Sequence, residues 1–281
     1  MIEVVEMGGP DGPFALIRSD PPTDEEWRMI GERGLRVHVV GLAPGLGLEV
    51  FLPHVDKFDQ FSIIAGEQAD ISPIGDMTQL RKLTITGPVR MPIDISRMDN
   101  LVSYGGSLRA APGVLSKSSI RRLSVPFTED LLRIGAPIKV LRITSARHMR
   151  RLPEFSAPHE LIQLTIADAK ELSLRGLSDL PSLEELWFDA CGLDHADEIA
   201  RLANLRSLRL EDCRRVEPAS SLAKIVGANV RVVGKHVFSR EFRSEVTTSG
   251  KAAWSFPSAE SAYVQSVGNS RRLPTNRSPK A

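Results

Sequence analysis

Cys191, Asp194, His195, Asp197 and Cys213 are the residues of this chain whose types and closeness could do chemistry. Thiolates and imidazoles are zinc ligands, and Cys191-x₃-His195 places one of each within a short span. The spacing is not that of a C-x-x-C pair, however, and Cys191 and Cys213 hold equivalent places in two neighbouring segments. That equivalence points to two small buried hydrophobes, with Asp194 or His195 starting a turn. Gly41-Leu-Ala-Pro-Gly45-Leu-Gly47 has the glycine content of a phosphate loop, but Pro44 interrupts it and no Lys-Ser/Thr follows, so a connecting turn is the better account. The six histidines are scattered, and neither H-E-x-x-H nor G-x-S-x-G occurs. The sequence therefore predicts no catalytic residue, metal site, cofactor or small-molecule substrate.

A second set is made for recognition. Trp187, Arg209, Arg231, Arg142, Glu185, Asp189 and Glu211 combine the two residue types most enriched at the centres of protein interfaces with carboxylates beside them. What would bring them together is a repeat. Leu183-x-x-Leu186-x-Phe188-x-x-Cys191 lies above Leu205-x-x-Leu208-x-Leu210-x-x-Cys213, every landmark recurring after 22 residues. The same apolar triplet runs through Phe58/Phe61/Ile63, Leu80/Leu83/Ile85, Leu101/Tyr104/Gly106, Ile120/Leu123/Val125, Ile138/Leu141/Ile143 and Leu161/Leu164/Ile166. With the alternating LRVHVVG at 35–41 and Val230 and Val232 at the end, it predicts about ten coils.

Within each triplet the last two members are two residues apart, the period of a strand, so both face one side while their neighbours face the other. One short strand per coil, stacked in parallel, buries a leucine core that no single coil could bury alone. The residues between and beside the triplet then make an outward ladder. Its middle column runs His38, Ser62, Thr84, Gly105, Ser124, Arg142, Thr165, Trp187, Arg209, Arg231; the flanking columns add Lys82, Arg122, Gln163, Glu185, Asp189 and Glu211. Trp187 is read either as a partner-binding anchor or as a cover for its own neighbours, stacked under Arg209 as a cation–π pair. Polar segments such as ADISPIGDMTQ and HADEIARLAN return the chain as short 3₁₀ or α turns.

The triplets, with DISPIGDMTQLRKLTITG at 70–87, resemble the 22-residue leucine-rich repeat class found in internalins and in a phosphatase regulatory subunit, over roughly 35–235. The resemblance implies an α/β leucine-rich-repeat solenoid with a parallel concave sheet and short convex segments, and a role in protein interaction; the architecture is silent about the partner. The usual ninth-position Asn is absent: Cys191 and Cys213 stand there in two coils, and Gly66, Pro88, Arg109, Thr128, Ala146 and Ala169 in the others. Repeats of 18–21 residues and Tyr104-Gly105-Gly106 predict a tighter middle at 101–143, where the register is most exposed to error.

Residues 1–34 read as an N-terminal cap, with Thr23 and Glu26 as a capping box and Gly34 as a helix stop. Residues 35–240 read as the solenoid, with FSREFRSEV as a last basic turn, and 241–281 as a disordered tail rich in Ser, Pro, Asn and Gly. Trp254, Phe256 and Tyr263 interrupt that tail as a candidate motif or a flap over the last coil. A net charge of +1, two cysteines, no secretory leader and no apolar run near the roughly 18 residues of a membrane helix predict a cytoplasmic protein with no membrane association. The function expected is a non-catalytic module binding a protein partner on the concave face. An immunity protein or inhibitor plugging a toxic or regulated enzyme is the narrower form. Nucleic-acid association through Arg214, Arg215, Lys224, Lys235, Arg240, Arg271 and Arg272 ranks lower, because Glu185, Asp189 and Glu211 lie among the arginines.

Overall fold

The apolar triplets form strands at the places their spacing requires. The computed structural model describes residues 2–6, 12–18, 20–40, 47–66, 69–234 and 252–255. Among these residues, thirteen strands join in one sheet in sequence order, skipping only the short return-side strands. All neighbouring pairs are parallel except the first, Glu3–Val5 against Phe14–Ile17. Triplet lies beside triplet: Leu83 beside Tyr104, Tyr104 beside Leu123, Leu164 beside Leu186 and Leu208 beside Val230. Because the strand period is two, that register turns every second residue into one continuous core, and the triplet positions are buried with the exception of half-buried Gly106.

The irregular middle keeps this register. Tyr104 fills the place of a leucine and, fully buried, donates its hydroxyl to the Ser107 carbonyl at 2.7 Å, so its one polar group is satisfied. Two residues on, Gly106 has φ 135°, and a Cβ there would stand 2.3 Å from the Ile85 carbonyl oxygen. Only glycine allows the preceding coil that close.

The first return segment, between Phe14–Ile17 and Arg36–Val40, is the helix Asp24–Arg33. Thr23 caps it, with the Glu26 amide donating to Thr23 Oγ1 and the Thr23 amide to Glu26 Oε2, and Gly34 ends it in the left-handed conformation. Glu26 also accepts the Ile2 amide at 2.8 Å, which ties the first strand to the helix. Trp27, buried, stacks on His54 and meets Phe51 edge-on. The expected boundary at residue 34 does not interrupt the sheet, since Phe14–Ile17 pairs directly with Arg36–Val40. At the other end the tail expected to be disordered contains a strand, Ala253–Ser255, which joins Asn229–Val233 with Ser255 beside Arg231. That backbone sits 24 residues after its partner, close to one coil length, so the repeat outlasts the apolar pattern. Residues 41–46 of the turn read at 41–47, the basic turn at 238–246 and the aromatics Phe256 and Tyr263 lie outside the described residues.

The return side holds 3₁₀ turns and, beyond expectation, short parallel ladders: Leu172–Ser173, Gly192–Asp194 and Arg215–Glu217 form one, Arg133–Ile134 and Glu154–Phe155 another. Gly192 lets two of these rungs meet, since a Cβ would lie 2.2 Å from the Lys170 carbonyl oxygen. The ninth position turns inward only in the later coils, at Ala146, Ala169, Cys191 and Cys213; Gly66, Pro88 and Arg109 are exposed. In the later coils a left-handed residue other than glycine stands just after each strand, at Ser145, Asp168, Ala190 and Asp212, where glycine serves at 87 and 234. The amides of Asp168, Ala190 and Asp212 donate to the Asp189, Glu211 and Val233 carbonyls of the next coil, so the turn is retained although a Cβ disfavours it by roughly 1–2 kcal/mol. Replacing exposed Ala190 with glycine is expected to raise stability by about 1 kcal/mol, seen as a higher denaturant midpoint. Leu208→Ala, at the centre of the stack, is expected to cost about 2–5 kcal/mol in the same experiment; a loss below 1 kcal/mol would contradict the stacked core.

Candidate functional site

Pairing of the strands Glu185–Asp189 and Ser207–Glu211 in full register sets Trp187 beside Arg209 and Asp189 beside Glu211. The Arg209 guanidinium carbon lies 4.2 Å from the centre of the indole ring, and the same guanidinium holds Glu211 at 2.7 Å. Cation, ring and carboxylate thus form one preformed unit on the outward face, with the ring quadrupole and the carboxylate both attracting the guanidinium. On the other flank Trp187 adjoins Thr165, which adjoins Arg142. Thr165 points outward yet is only 5% exposed, so the large side chains on either side close over it. Trp187 is therefore both partly exposed and a cover for its neighbour.

Enclosure leaves two donors unmatched. Trp187 Nε1 and Arg209 Nε are shut off from solvent and have no acceptor among the described residues. Burial also pushes the Asp189 carboxyl up from the ordinary range; nearby Glu211 and Asp212 push it the same way, and Arg209 and Arg142 draw it back in part. Asp212 escaped sequence reasoning because its place depends on the left-handed turn after the strand. Arg231 is the next rung after Arg209 and is exposed, as are Arg142 and Glu185. Of the seven residues predicted for recognition, Trp187, Arg209, Glu211 and Asp189 cluster. Arg142 reaches the cluster through its field on Asp189, and Glu185 and Arg231 flank it in register.

The zinc-like set is split between the two cysteines, neighbours in adjacent coils, and Asp194 and His195 on the return side. Cys191 and Cys213 are fully buried, their thiols directed to the Ile166 and Phe188 carbonyls at 3.4 and 3.5 Å, and burial raises their pKa values to about 11 and about 12. Thiols so held are inert core groups rather than nucleophiles. His195 opens the return turn in the left-handed conformation but makes no capping bond there. Its ring lies between Arg175 Nε at 2.8 Å and Ser173 Oγ at 3.3 Å. Of the basic residues considered for nucleic acid, Arg215 is on the return side, paired with Asp194 and Glu217; Arg214 and Lys224 are exposed; Lys235, Arg240, Arg271 and Arg272 lie outside the described residues.

A parallel ladder with one strand and one return turn per roughly 22 residues, and leucines filling the core, decides the architecture. The fold is a leucine-rich-repeat solenoid. No protein-family model and no curated protein matches the chain. Among solved structures, the chain is similar to an internalin (inlF) of Listeria monocytogenes str. 4b F2365 at 15% identity and TM-score 0.48, over 80% of this chain and 74% of that one. It is also similar to internalin C2 (inlC2) of the same strain at 15% identity and TM-score 0.33, over 69% and 71%. No helix among the described residues of the solenoid is long and apolar enough to cross a membrane.

The raised carboxyl gives a pH signature. A carboxylate whose folded pKa lies above its unfolded value is destabilising where it must be charged, and the penalty vanishes as pH falls below both values. Asp189→Asn is therefore expected to stabilise the solenoid at neutral pH, with the gain disappearing below the ordinary aspartate value of 3.8. Thermal melts of both proteins across that range check it, and a gain independent of pH would contradict the assignment.

Proposed function

We propose that the protein is a non-catalytic interaction module that holds a protein partner on the outward face of the sheet, centred on Trp187, Arg209 and Glu211 and flanked by Asp189, Glu185, Arg142 and Arg231. The observation that carries the reading is the Arg209 guanidinium stacked 4.2 Å over the Trp187 ring while tied to Glu211. The stack presents a large amphipathic surface already in one conformation, so little ordering entropy opposes binding. Its two unmatched donors, each costing about 1–3 kcal/mol while unpaired, gain acceptors if a partner's carbonyl or carboxylate meets a small shift of the stack. Flat strands allow a folded partner to dock without rearranging the solenoid. An inhibitor or immunity protein is a narrower form of the same proposal, and the reduced, buried cysteines suit a cytoplasmic setting.

Trp187→Ala tests this. Loss of the cation–π pair and of the cover over Thr165 is expected to lower stability by only about 1 kcal/mol. Partner affinity, measured by calorimetry once a partner is captured, is expected to fall by about 2 kcal/mol or more, as at interface centres. Unchanged affinity in the folded variant would remove Trp187 from the interface.

A further inference from the structure

The outward face is divided by charge. From Arg36 to Gln163 its three columns contain no aspartate or glutamate, and the floor is made of small residues: Thr84, Ser103, Gly105 and Ser124. Apart from Glu3 on the first strand, carboxylates begin only at Glu185 and continue through Asp189 and Glu211. Within the first half, Arg122 and Arg142 rise from neighbouring strands, Arg122 beside Val140 and Arg142 beside Ser124. Both are exposed, and neither has an ion-pair partner within bonding distance among the described residues. Arg209, by contrast, is already held by Glu211.

We propose that this cationic half receives an acidic segment of the protein partner, its carboxylates taken by Arg122 and Arg142. The proposal rests on the partner-binding reading above and adds the partner's chemistry to it. A guanidinium offers a planar fork of donors that matches a carboxylate bidentately. Two such forks on adjacent strands, set on a diagonal two residues apart and so roughly 8 Å from each other, suit side chains spaced along an acidic stretch. The small residues beneath leave room for that stretch to approach the sheet; at Gly105 even a Cβ would crowd Thr84 Oγ1, at 3.3 Å. A nucleic acid fits less well. Glu185 and Asp189 stand only two strands beyond Arg142, roughly 10 Å, about one screening length at moderate salt, so an extended polyanion crossing the face meets repulsion. An acidic patch of limited length on a protein does not.

Binding of the full chain to a fluorescent glutamate-rich peptide, its glutamine counterpart and a single-stranded RNA of equal length tests the proposal. The glutamate peptide is expected to bind, the glutamine peptide not, and RNA more weakly than the glutamate peptide. Arg122→Glu/Arg142→Glu is expected to weaken the glutamate peptide about tenfold, the effect of two exposed ion pairs. Arg90→Glu/Arg109→Glu, an equal charge change at two exposed positions outside the outward columns, is expected to leave it nearly unaltered. Equal losses in the two double variants would reduce the effect to net charge and overturn the proposal, as would tighter RNA binding. Thermal melts confirm that each variant is folded. If a captured partner is lost by Trp187→Ala but kept by Arg122→Glu/Arg142→Glu, the interface stands and the acidic-segment assignment falls.

Discussion

Leu164, Leu186, Leu208 and Val230 stand one per coil beneath the sheet, and none could be buried by its own coil alone. Each is covered by the coil before and the coil after, so the stabilisation of roughly 1.5–3 kcal/mol per buried leucine exists only when the strands are paired in this register. A slip of one residue would turn the leucines out and bring Arg142, Trp187 and Arg209 in, placing unpaired charge in an apolar stack. The register that buries the core is thus also the one that assembles the outward face. The ends obey the same constraint: the capped helix packs Trp27 against Phe51 and His54 of the next return segment, and Ala253–Ser255 pairs with the last of the regular strands.

The core and the columns were readable from the sequence because both follow from a period. Triplets recurring at nearly constant intervals name the buried residues, and alternation names their outward neighbours, even through 101–143, where Tyr104 replaces leucine and its hydroxyl finds a carbonyl. Thr23, Glu26 and Gly34 were equally plain, since cap chemistry is local. The neighbours of Trp187 could be named on the same grounds, as residues 22 apart fall on adjacent rungs.

Other features depend on contacts between coils that no local pattern marks. Ser145, Asp168, Ala190 and Asp212 adopt a left-handed conformation that their side chains disfavour, the last three held there by their own amides reaching the next coil and Ser145 by the Ala146 amide after it. The ladders on the return side arise because such turns bring Gly192 against Lys170, which a glycine in isolation does not announce. The last strand, Ala253–Ser255, lacks the Leu-x-x-Leu-x-Leu signature and lies in a stretch whose composition reads as a tail; pairing with Asn229–Val233 supplies what the residues alone do not. Thr165 is hidden for a similar reason: its column is exposed by rule, and only the size of its neighbours buries it.

Interleaving core and face along one strand has a consequence for how such a surface evolves and is probed. Substitutions in the outward columns leave the leucine stack untouched, so charge at Arg122, Arg142 or Arg231 is free to vary with the partner at little expense in stability. Trp187 and Arg209 are the exception. The ring covers Thr165, the guanidinium covers the ring, and Glu211 fixes the guanidinium, so each member leans on the next. Residues in one such unit couple, and their single substitutions do not add. Recognition on this face therefore has two kinds of component: a rigid centre whose parts change together, and exposed charges around it that change alone.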